Sequence, residues 1–84
     1  MFYVYIIKSK NNNRLYKGFT KNLKLRLKEH NSGNVKSTKS FRPWELVYYE
    51  AFINKEDALR EENFLKSGKG RDRIKYLFKD CIEN

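Results

Sequence analysis

FYVYIIKSKNNNRLYKGFT, residues 2–20, is the stretch that decides the fold. Residues 2–8 are rich in β-branched and aromatic side chains, and they run into a polar cluster with three asparagines at 9–13. Asparagine tolerates the left-handed backbone of tight turns, so this pattern predicts a buried strand, a turn and a returning strand over 14–20. The chain therefore begins with a predicted β-hairpin.

The hairpin presents tyrosines on a shared face. Successive strand side chains point to opposite sides of a sheet, which puts Tyr3, Tyr5 and Ile7 on the same side of the first strand. Tyr16 and Gly18 share a face of the second strand for the same reason. The first strand is apolar on both of its faces, which is typical of a buried strand.

A helix is predicted directly after the hairpin. Thr20 or Asn22 is suited to cap its start, and the Asn-Ser-Gly sequence at 31–33 is suited to end it. Leu23 and Leu27 recur at helical spacing, so they predict the stripe that faces the core. This helix carries the next set of candidate functional residues.

Residues 34–52 are predicted to form a loop and then a third strand. Lys36, Lys39 and Arg42 stand among serine and threonine, which favours a mobile loop over 34–42. Such a loop closes over a phosphate backbone, or it is a plain solvated connector. Pro43 restricts the residue before it to an extended backbone, and the β-rich segment 44–52 follows.

Alternation within the third strand makes a specific prediction about its two faces. Leu46 and Tyr48 are expected on one face of the sheet, and Val47 and Tyr49 on the other. Both faces of the sheet are then at least partly covered.

Two helices are predicted at the end of the chain. Asn54 is suited to cap a helix that runs to about residue 67, and Gly68 or Gly70 is expected to stop it. Residues 72–78 predict a third, short helix. The order of elements is therefore ββαβαα.

Glu62 is a carboxylate on an otherwise apolar helical stripe of Ala58, Leu59 and Leu65. A carboxylate that faces a core needs an ion pair or a cation. An ion pair with a lysine or with Arg26 is the plainer interpretation. Mg²⁺, however, needs only one or two protein carboxylates when the substrate brings phosphate oxygens.

Arg26 and His30 lie four residues apart, on one face of the predicted first helix. The guanidinium fork of Arg26 can grip two phosphate oxygens, or it belongs to a surface salt bridge. Tyr5 and Tyr16 are core aromatics, or one of them is a general base whose pKa the surrounding cations, Lys17 among them, offset. His30 relays that proton or has a structural role.

The chain carries a formal net charge of +9, and most of the excess lies in its first half. Residues 8–42 hold eleven Lys or Arg and a single acid, Glu29, whereas 43–65 hold two bases and six acids. Each Lys or Arg that meets a phosphate releases a condensed counterion, so this asymmetry is typical of a polyanion binder. The charge favours a nucleic-acid partner over ordinary solubilising charge.

Length and cysteine content restrict the class of protein further. The 84 residues make one domain, with a core expected over about 2–78, and are too few for two. Cys81 is alone, which excludes an intramolecular disulfide and a cysteine-rich zinc site. The apolar run at 2–7 is too short for a membrane span and lacks the flanks of a signal peptide. A soluble, cytoplasmic protein is expected.

These motifs resemble the GIY-YIG nuclease family over about residues 2–71. The matching positions are Tyr5, Tyr16, Gly18, Arg26, His30 and Glu62. Segments 29–33, 42–44 and 58–62 resemble the small, single-domain bacterial branch, which is similar to the N-terminal nuclease domain of the excision-repair endonuclease. The first motif, at 3–5, lacks the family's glycine, and Lys17 replaces an apolar residue of the second.

The resemblance implies a DNA endonuclease that uses Mg²⁺ or Mn²⁺ to hydrolyse a phosphodiester bond. Glu62 would hold the ion, Arg26 would hold the scissile phosphate, and Tyr5 would activate water with Tyr16 and His30 in support. The residues expected to contact nucleic acid are Lys17, Lys36, Lys39, Arg42, Lys66, Lys69 and Arg71. DNA is the expected partner, with branched and single-stranded forms as candidates.

The expected fold is of the α/β (α+β) class, a small three-stranded antiparallel sheet flanked by helices. The resemblance implies that the first strand is central. Two other functions stay open on the sequence alone. One is a nucleic-acid-binding module of the same fold that is catalytically weak or inactive, and the other is a protein-interaction domain that uses its aromatic surface.

Overall fold

The computed structural model describes residues 1–80, so Cys81 lies outside the described part of the chain. The elements are β1 (Phe2–Ser9), β2 (Leu15–Thr20), α1 (Leu23–Ser32), β3 (Trp44–Phe52), α2 (Lys55–Leu65) and α3 (Gly68–Leu77). The strands form one antiparallel sheet in the order β2-β1-β3. The predicted ββαβαα order and the central first strand are confirmed. No helix within residues 1–80 combines the length and the apolar character needed to cross a bilayer.

The hairpin of β1 and β2 sets the register of the sheet. Asn13 adopts a left-handed backbone with φ of 60° in the turn, and the Ser9 amide donates to the Arg14 carbonyl at 2.8 Å. Tyr5 consequently lies opposite Gly18. The predicted role of asparagine in the turn is confirmed.

Helices cover both faces of the sheet, and each face has its own core. Val4 and Ile6 of β1 pack against Ala58, Leu65 and Ile74 of α2 and α3. On the opposite face the buried residues are Tyr5, Ile7 and Trp44, and the α1 leucines Leu23 and Leu27 pack on them. β1 contributes buried side chains to both cores, which explains why its residues 2–7 lack a polar face.

A bulge in β3 overturns the predicted alternation of its side chains. Ile6 pairs with Tyr48 and Ile7 with Leu46, so Val47 is an extra residue in β3. An inserted residue shifts the alternation by one position. Val47 and Tyr48 therefore both pack on the core of α2 and α3, whereas Leu46 packs on the core of α1.

The boundary between α2 and α3 also differs from the prediction. Gly68 and Gly70 do not stop α2, because they form the first turn of α3. The Ser67 hydroxyl accepts from the Gly70 amide at 3.2 Å and caps α3. A Cβ at Gly70 would overlap the backbone of Phe64 and Leu65. The glycine is thus required by the close approach of the two helices, and α3 starts earlier than expected.

Two carboxylates meet on the α2 and α3 side of the sheet. One carboxylate oxygen of Glu50 is buried without a hydrogen-bond partner among the described residues, and Arg73 approaches the other oxygen at 3.9 Å. Burial, followed by the nearby Glu50 carboxylate, raises the pKa of Glu61 to about 7. Protonation of Glu61 hence relieves both the cost of its burial and its repulsion from Glu50.

Replacing Gly18 with alanine is expected to destabilise the fold by about 1–3 kcal/mol, because the new methyl group must displace a packed side chain. A Cβ at Gly18 would overlap the ring and hydroxyl of Tyr5. Denaturant unfolding followed by the fluorescence of Trp44 measures the change. Gly68→Ala is the control, since a Cβ there meets nothing within 4 Å. Equal stability of the two variants would contradict this account of Gly18.

Glu61→Gln is expected to change the pH dependence of stability. A carboxyl whose pKa is raised in the folded state stabilises the fold below its unfolded pKa, and that contribution is lost as pH rises to about 7. The variant should therefore gain stability relative to the wild type as pH rises from about 4.5 to about 7. Subtracting the two free energies of unfolding at each pH removes the contribution of His30, which is common to both. A flat difference would show that Glu61 is not perturbed.

Candidate functional site

The site is built around the hydroxyl of Tyr5. The ring lies over Gly18 on the neighbouring strand, where a side chain would occupy the same space. Its hydroxyl lies 2.8 Å from Nε2 of His30 on α1. Both side chains are buried. The predicted helix caps make this contact possible, since Asn22 caps the start of α1 and Gly33, with φ of 86°, caps its end.

Thr38 determines which nitrogen of His30 accepts the hydrogen bond from the Tyr5 hydroxyl. The other ring nitrogen, Nδ1, lies 2.8 Å from Oγ1 of Thr38, and the threonine hydroxyl donates to the Val35 carbonyl at 3.4 Å. The tautomer protonated on Nδ1 satisfies both contacts, because the threonine oxygen then accepts from Nδ1–H while its hydroxyl donates to Val35. In that tautomer Nε2 accepts from the Tyr5 hydroxyl.

Burial opposes charge on both members of this pair. Together with the positive charge of Arg26, burial lowers the pKa of His30 to about 4. Burial also raises the pKa of Tyr5 to about 12, although Arg26 acts in the opposite direction. The expectation that the surrounding cations lower the pKa of this tyrosine was wrong, because desolvation outweighs them. Both groups are neutral near pH 7.

Tyr16 completes an aromatic cluster on this face of the sheet. Its ring centroid lies 5.1 Å from that of His30 and 6.5 Å from that of Tyr5. It also makes an edge contact with Trp44 at 6.5 Å. Edge-to-face packing of this kind holds rings in fixed orientations. Tyr16 therefore shields the imidazole from solvent.

Arg26 extends the site toward solvent. Its guanidinium pairs with the Glu29 carboxylate at 2.9 Å, and both side chains are about one third exposed. Hydrogen bonding to Glu29 and then to Tyr5 raises the pKa of Arg26. The arginine is therefore fixed beside the Tyr5 hydroxyl and keeps donors for a further anion.

Glu62 approaches the same hydroxyl from α2. Its negative charge is among the influences that raise the pKa of Tyr5. The carboxylate is 17% exposed and accepts from Lys66 at 2.9 Å. The ion pair between Glu62 and a lysine, one of the interpretations that the sequence left open, is thus present. The set of ligands fits Mg²⁺ or Mn²⁺ only in part, because Glu62 is a lone carboxylate and no cluster of three His, Cys, Asp or Glu exists within residues 1–80.

Several predicted nucleic-acid-binding residues gather near Glu62. After burial, Arg71 and Lys66 lower the pKa of Lys17, which shows that the three cations face one another. Lys69 is exposed in the first turn of α3, close to them in sequence. Such mutual repulsion between cations is relieved by a polyanion.

The segment that carries Lys36, Lys39 and Arg42 was predicted to be a mobile loop, and its mobility stays a prediction. A short 3₁₀ helix, Lys39–Phe41, forms within it. Trp44 Nε1 donates to the Thr38 carbonyl at 2.8 Å, and Arg42 Nε donates to the Lys39 carbonyl at 2.8 Å. The exposed basic side chains therefore lie on a segment that is hydrogen-bonded to its neighbours.

Two residues of the site were missed by the sequence analysis. Thr38 is fully buried against His30, and Asn31 uses its amide to pair with the backbone of Trp44. The amide donates to the Trp44 carbonyl at 2.9 Å and accepts from its N–H at 2.6 Å. Both stand in polar stretches, so their hydropathy resembles that of loop residues. No pattern in the sequence distinguishes them from such residues.

Comparison with known proteins agrees with this geometry. A family model described as the GIY-YIG catalytic domain matches residues 1–76. The chain belongs to the GIY-YIG family. A UPF0213 protein of Clostridium perfringens is 46% identical over 84 residues, which cover 99% of this chain and 89% of the relative. A UPF0213 protein of Staphylococcus haemolyticus is 42% identical over 76 residues, with 89% and 92% covered.

A solved structure shares the fold. The solution NMR structure of a UPF0213 protein from Bacillus halodurans is similar with a TM-score of 0.56 and 36% identity, covering 92% of this chain and 85% of that one. GIY-YIG proteins are nucleases, so membership makes nucleic acid the expected class of substrate. The predicted resemblance is confirmed.

The structure explains one departure from the longer GIY-YIG proteins. Those proteins carry an asparagine about a dozen residues after the glutamate, where this chain has Arg73 and Ile74. Ile74 is buried in the core, and Arg73 faces Glu50. Neither residue supplies a polar group to the site around Tyr5.

Thr38→Val is expected to destabilise the fold by about 1–3 kcal/mol, because it leaves a buried N–H of His30 without an acceptor. Urea unfolding measures the loss, and ¹⁵N shifts of the imidazole report which nitrogen carries the proton. Ser37→Ala removes an exposed hydroxyl from the neighbouring position and serves as the control. An unchanged tautomer and an unchanged stability in Thr38→Val would refute the assigned role.

Proposed function

We propose that this GIY-YIG protein is an endonuclease that hydrolyses phosphodiester bonds in DNA with the help of Mg²⁺ or Mn²⁺. The observation that carries the proposal is the convergence of α1 and α2 on the Tyr5 hydroxyl. His30 accepts from it, Arg26 is fixed beside it, and the charge of Glu62 reaches it from the other helix. Family membership supports the hydrolase activity.

Arg26 is suited to hold the scissile phosphate. A guanidinium presents five donors in a planar fork, and the pair with Glu29 uses one of its terminal nitrogens. A phosphate competes with Glu29 for this fork. Donors fixed in advance stabilise the charge that develops on the phosphate in the transition state.

Glu62 is the residue that would hold the divalent ion. A single carboxylate suffices where phosphate oxygens and waters fill the remaining positions. The bound ion would supply Lewis-acid polarisation of a phosphoryl oxygen. Lys66, the present partner of Glu62, has to release the carboxylate and is then free to meet the substrate backbone.

Tyr5 and His30 are suited to move a proton together. The Tyr5 oxygen takes a proton from the attacking water as its own proton passes to Nε2 of His30. Neither group is an effective base alone, because one pKa is about 12 and the other about 4. When a phosphate anion pairs with Arg26, the positive charge that lowers the pKa of His30 is offset. Substrate binding therefore favours the relay.

A second candidate is a nucleic-acid-binding module with weak or no catalysis. The ion pairs that engage Arg26 and Glu62 favour it, as does the raised pKa of Tyr5. This module would use the same basic surface. Under either candidate, we propose that the protein acts in the cytoplasm and that its DNA partners include branched and single-stranded forms.

Glu62→Gln and Arg26→Lys are each expected to lower the cleavage rate by about 10²- to 10³-fold, as the removal of one preorganised charge-stabilising group does in other enzymes. The assay follows labelled single-stranded, duplex and branched DNA with Mg²⁺ or Mn²⁺, and with chelator. Thermal unfolding of each variant confirms that the fold is retained.

Matched controls come from α2. Arg60 forms the same kind of i,i+3 ion pair, with Asp57 at 3.0 Å, so Arg60→Lys controls for Arg26→Lys. Glu56→Gln alters an exposed carboxylate of that helix. Cleavage that survives chelator, or that Glu62→Gln retains in full, would sink the nuclease mechanism. Salt-sensitive binding without any cleavage would favour the binding module.

A further inference from the structure

The face of the sheet that carries Tyr5 is only partly covered by α1. Leu23 and Leu27 of α1 pack over Tyr5 and Ile7. Tyr49 lies opposite Tyr5 on the neighbouring strand, on the same face, and it is 54% exposed. The helix therefore leaves one part of this face open to solvent.

Two tyrosine rings line that open part. Tyr3 and Tyr49 meet edge to face, with ring centroids 6.2 Å apart. Neither ring is part of the two hydrophobic cores. We refer to Tyr3 and Tyr49 as the tyrosine ledge. Large exposed aromatic groups that contribute nothing to a core are a mark of an interaction surface.

The charge beside the ledge indicates a polyanion as its partner. Lys24 and Lys28 are exposed on α1, on the same side of the helix as Asn31, whose amide reaches β3. The acid on α1, Glu29, is paired with Arg26. A protein partner would have to be acidic, whereas a nucleic acid supplies negative charge and flat rings together. The combination of these cations with the exposed Tyr49 ring fits unpaired bases on a phosphate backbone.

The spacing agrees with the position of the proposed phosphate site. Tyr3 lies two residues from Tyr5 along β1, a rise of about 7 Å. Stacked nucleotides rise about 3.4 Å per step along one strand. Tyr3 of the ledge therefore lies about two nucleotide steps from Tyr5 along the direction of β1.

We infer that the tyrosine ledge stacks on an unpaired base close to the phosphate held by Arg26, and so selects single-stranded or locally unpaired DNA. Bases within a duplex present their edges in the grooves, and their faces are occupied by neighbouring base pairs. Stacking on Tyr49 therefore requires a base outside a duplex. The inference rests on the proposed function for the position of the phosphate, and it goes further by naming the substrate form.

Binding measured in the presence of chelator tests the ledge without cleavage. The probes are a fluorescent oligothymidylate, an abasic sugar-phosphate chain of the same length and a duplex. Tyr49→Ala should weaken binding of the oligothymidylate at least about fivefold, the lower limit for loss of one base stack. Binding of the abasic chain and the duplex should not change, and Tyr49→Phe should bind like the wild type.

Tyr76→Ala is the matched control, because this tyrosine of α3 is 73% exposed and lies outside the ledge. Equal affinities of Tyr49→Ala and Tyr76→Ala for the oligothymidylate would overturn the inference. The inference would also be overturned if Tyr49→Ala lost self-association and still bound the oligonucleotide like the wild type. The ledge would then be assigned to a contact with a second copy of this chain. Neither result depends on catalysis, so failure of the nuclease proposal is read separately, from Glu62→Gln.

Discussion

The hydrogen bond between Tyr5 and His30 is the interaction on which the rest of this site depends. It joins the central strand to α1 inside a dry core, and it exists because Gly18 leaves room for the tyrosine ring. A buried hydroxyl and a buried imidazole are each costly without a partner, so the pair is stable only when both are present. Catalytic geometry and core packing are therefore the same structural requirement here.

The two faces of the sheet carry different kinds of side chains. On the α1 side, buried aromatic rings surround neutral polar groups, and cations stand at the edge. On the α2 and α3 side, the core combines aliphatic and phenylalanine side chains, and burial together with the Glu50 carboxylate raises the pKa of Glu61 beside it. Glu62 belongs to α2, yet its charge reaches Tyr5. The site thus lies where the two helical layers approach each other, near the edge of β2.

The sequence predicted the order of elements, because strand alternation, helical spacing and capping residues are local signals. The central strand and the group of residues around Tyr5 were implied by the resemblance to the GIY-YIG family. The sequence did not predict the bulge at Val47, since pairing geometry with β1 decides where an extra residue fits. The buried position of Thr38 was equally inaccessible, because a polar residue in a polar stretch carries no sign of its partner. The predicted lowering of the Tyr5 pKa was wrong for a related reason, because counting cations along the chain does not measure the desolvation of a buried hydroxyl.

The Asn31 amide has a consequence for how this fold can diversify. This amide hydrogen-bonds the N–H and the carbonyl of Trp44, as a neighbouring strand would. It therefore fixes the two ends of segment 32–43. The entropy of closing a loop grows only with the logarithm of its length. Residues 34–37, ahead of the buried Thr38, are hence a place where extra chain adds little cost. An insertion at this point would add surface beside the site and leave the hydrogen bond between Tyr5 and His30 in place.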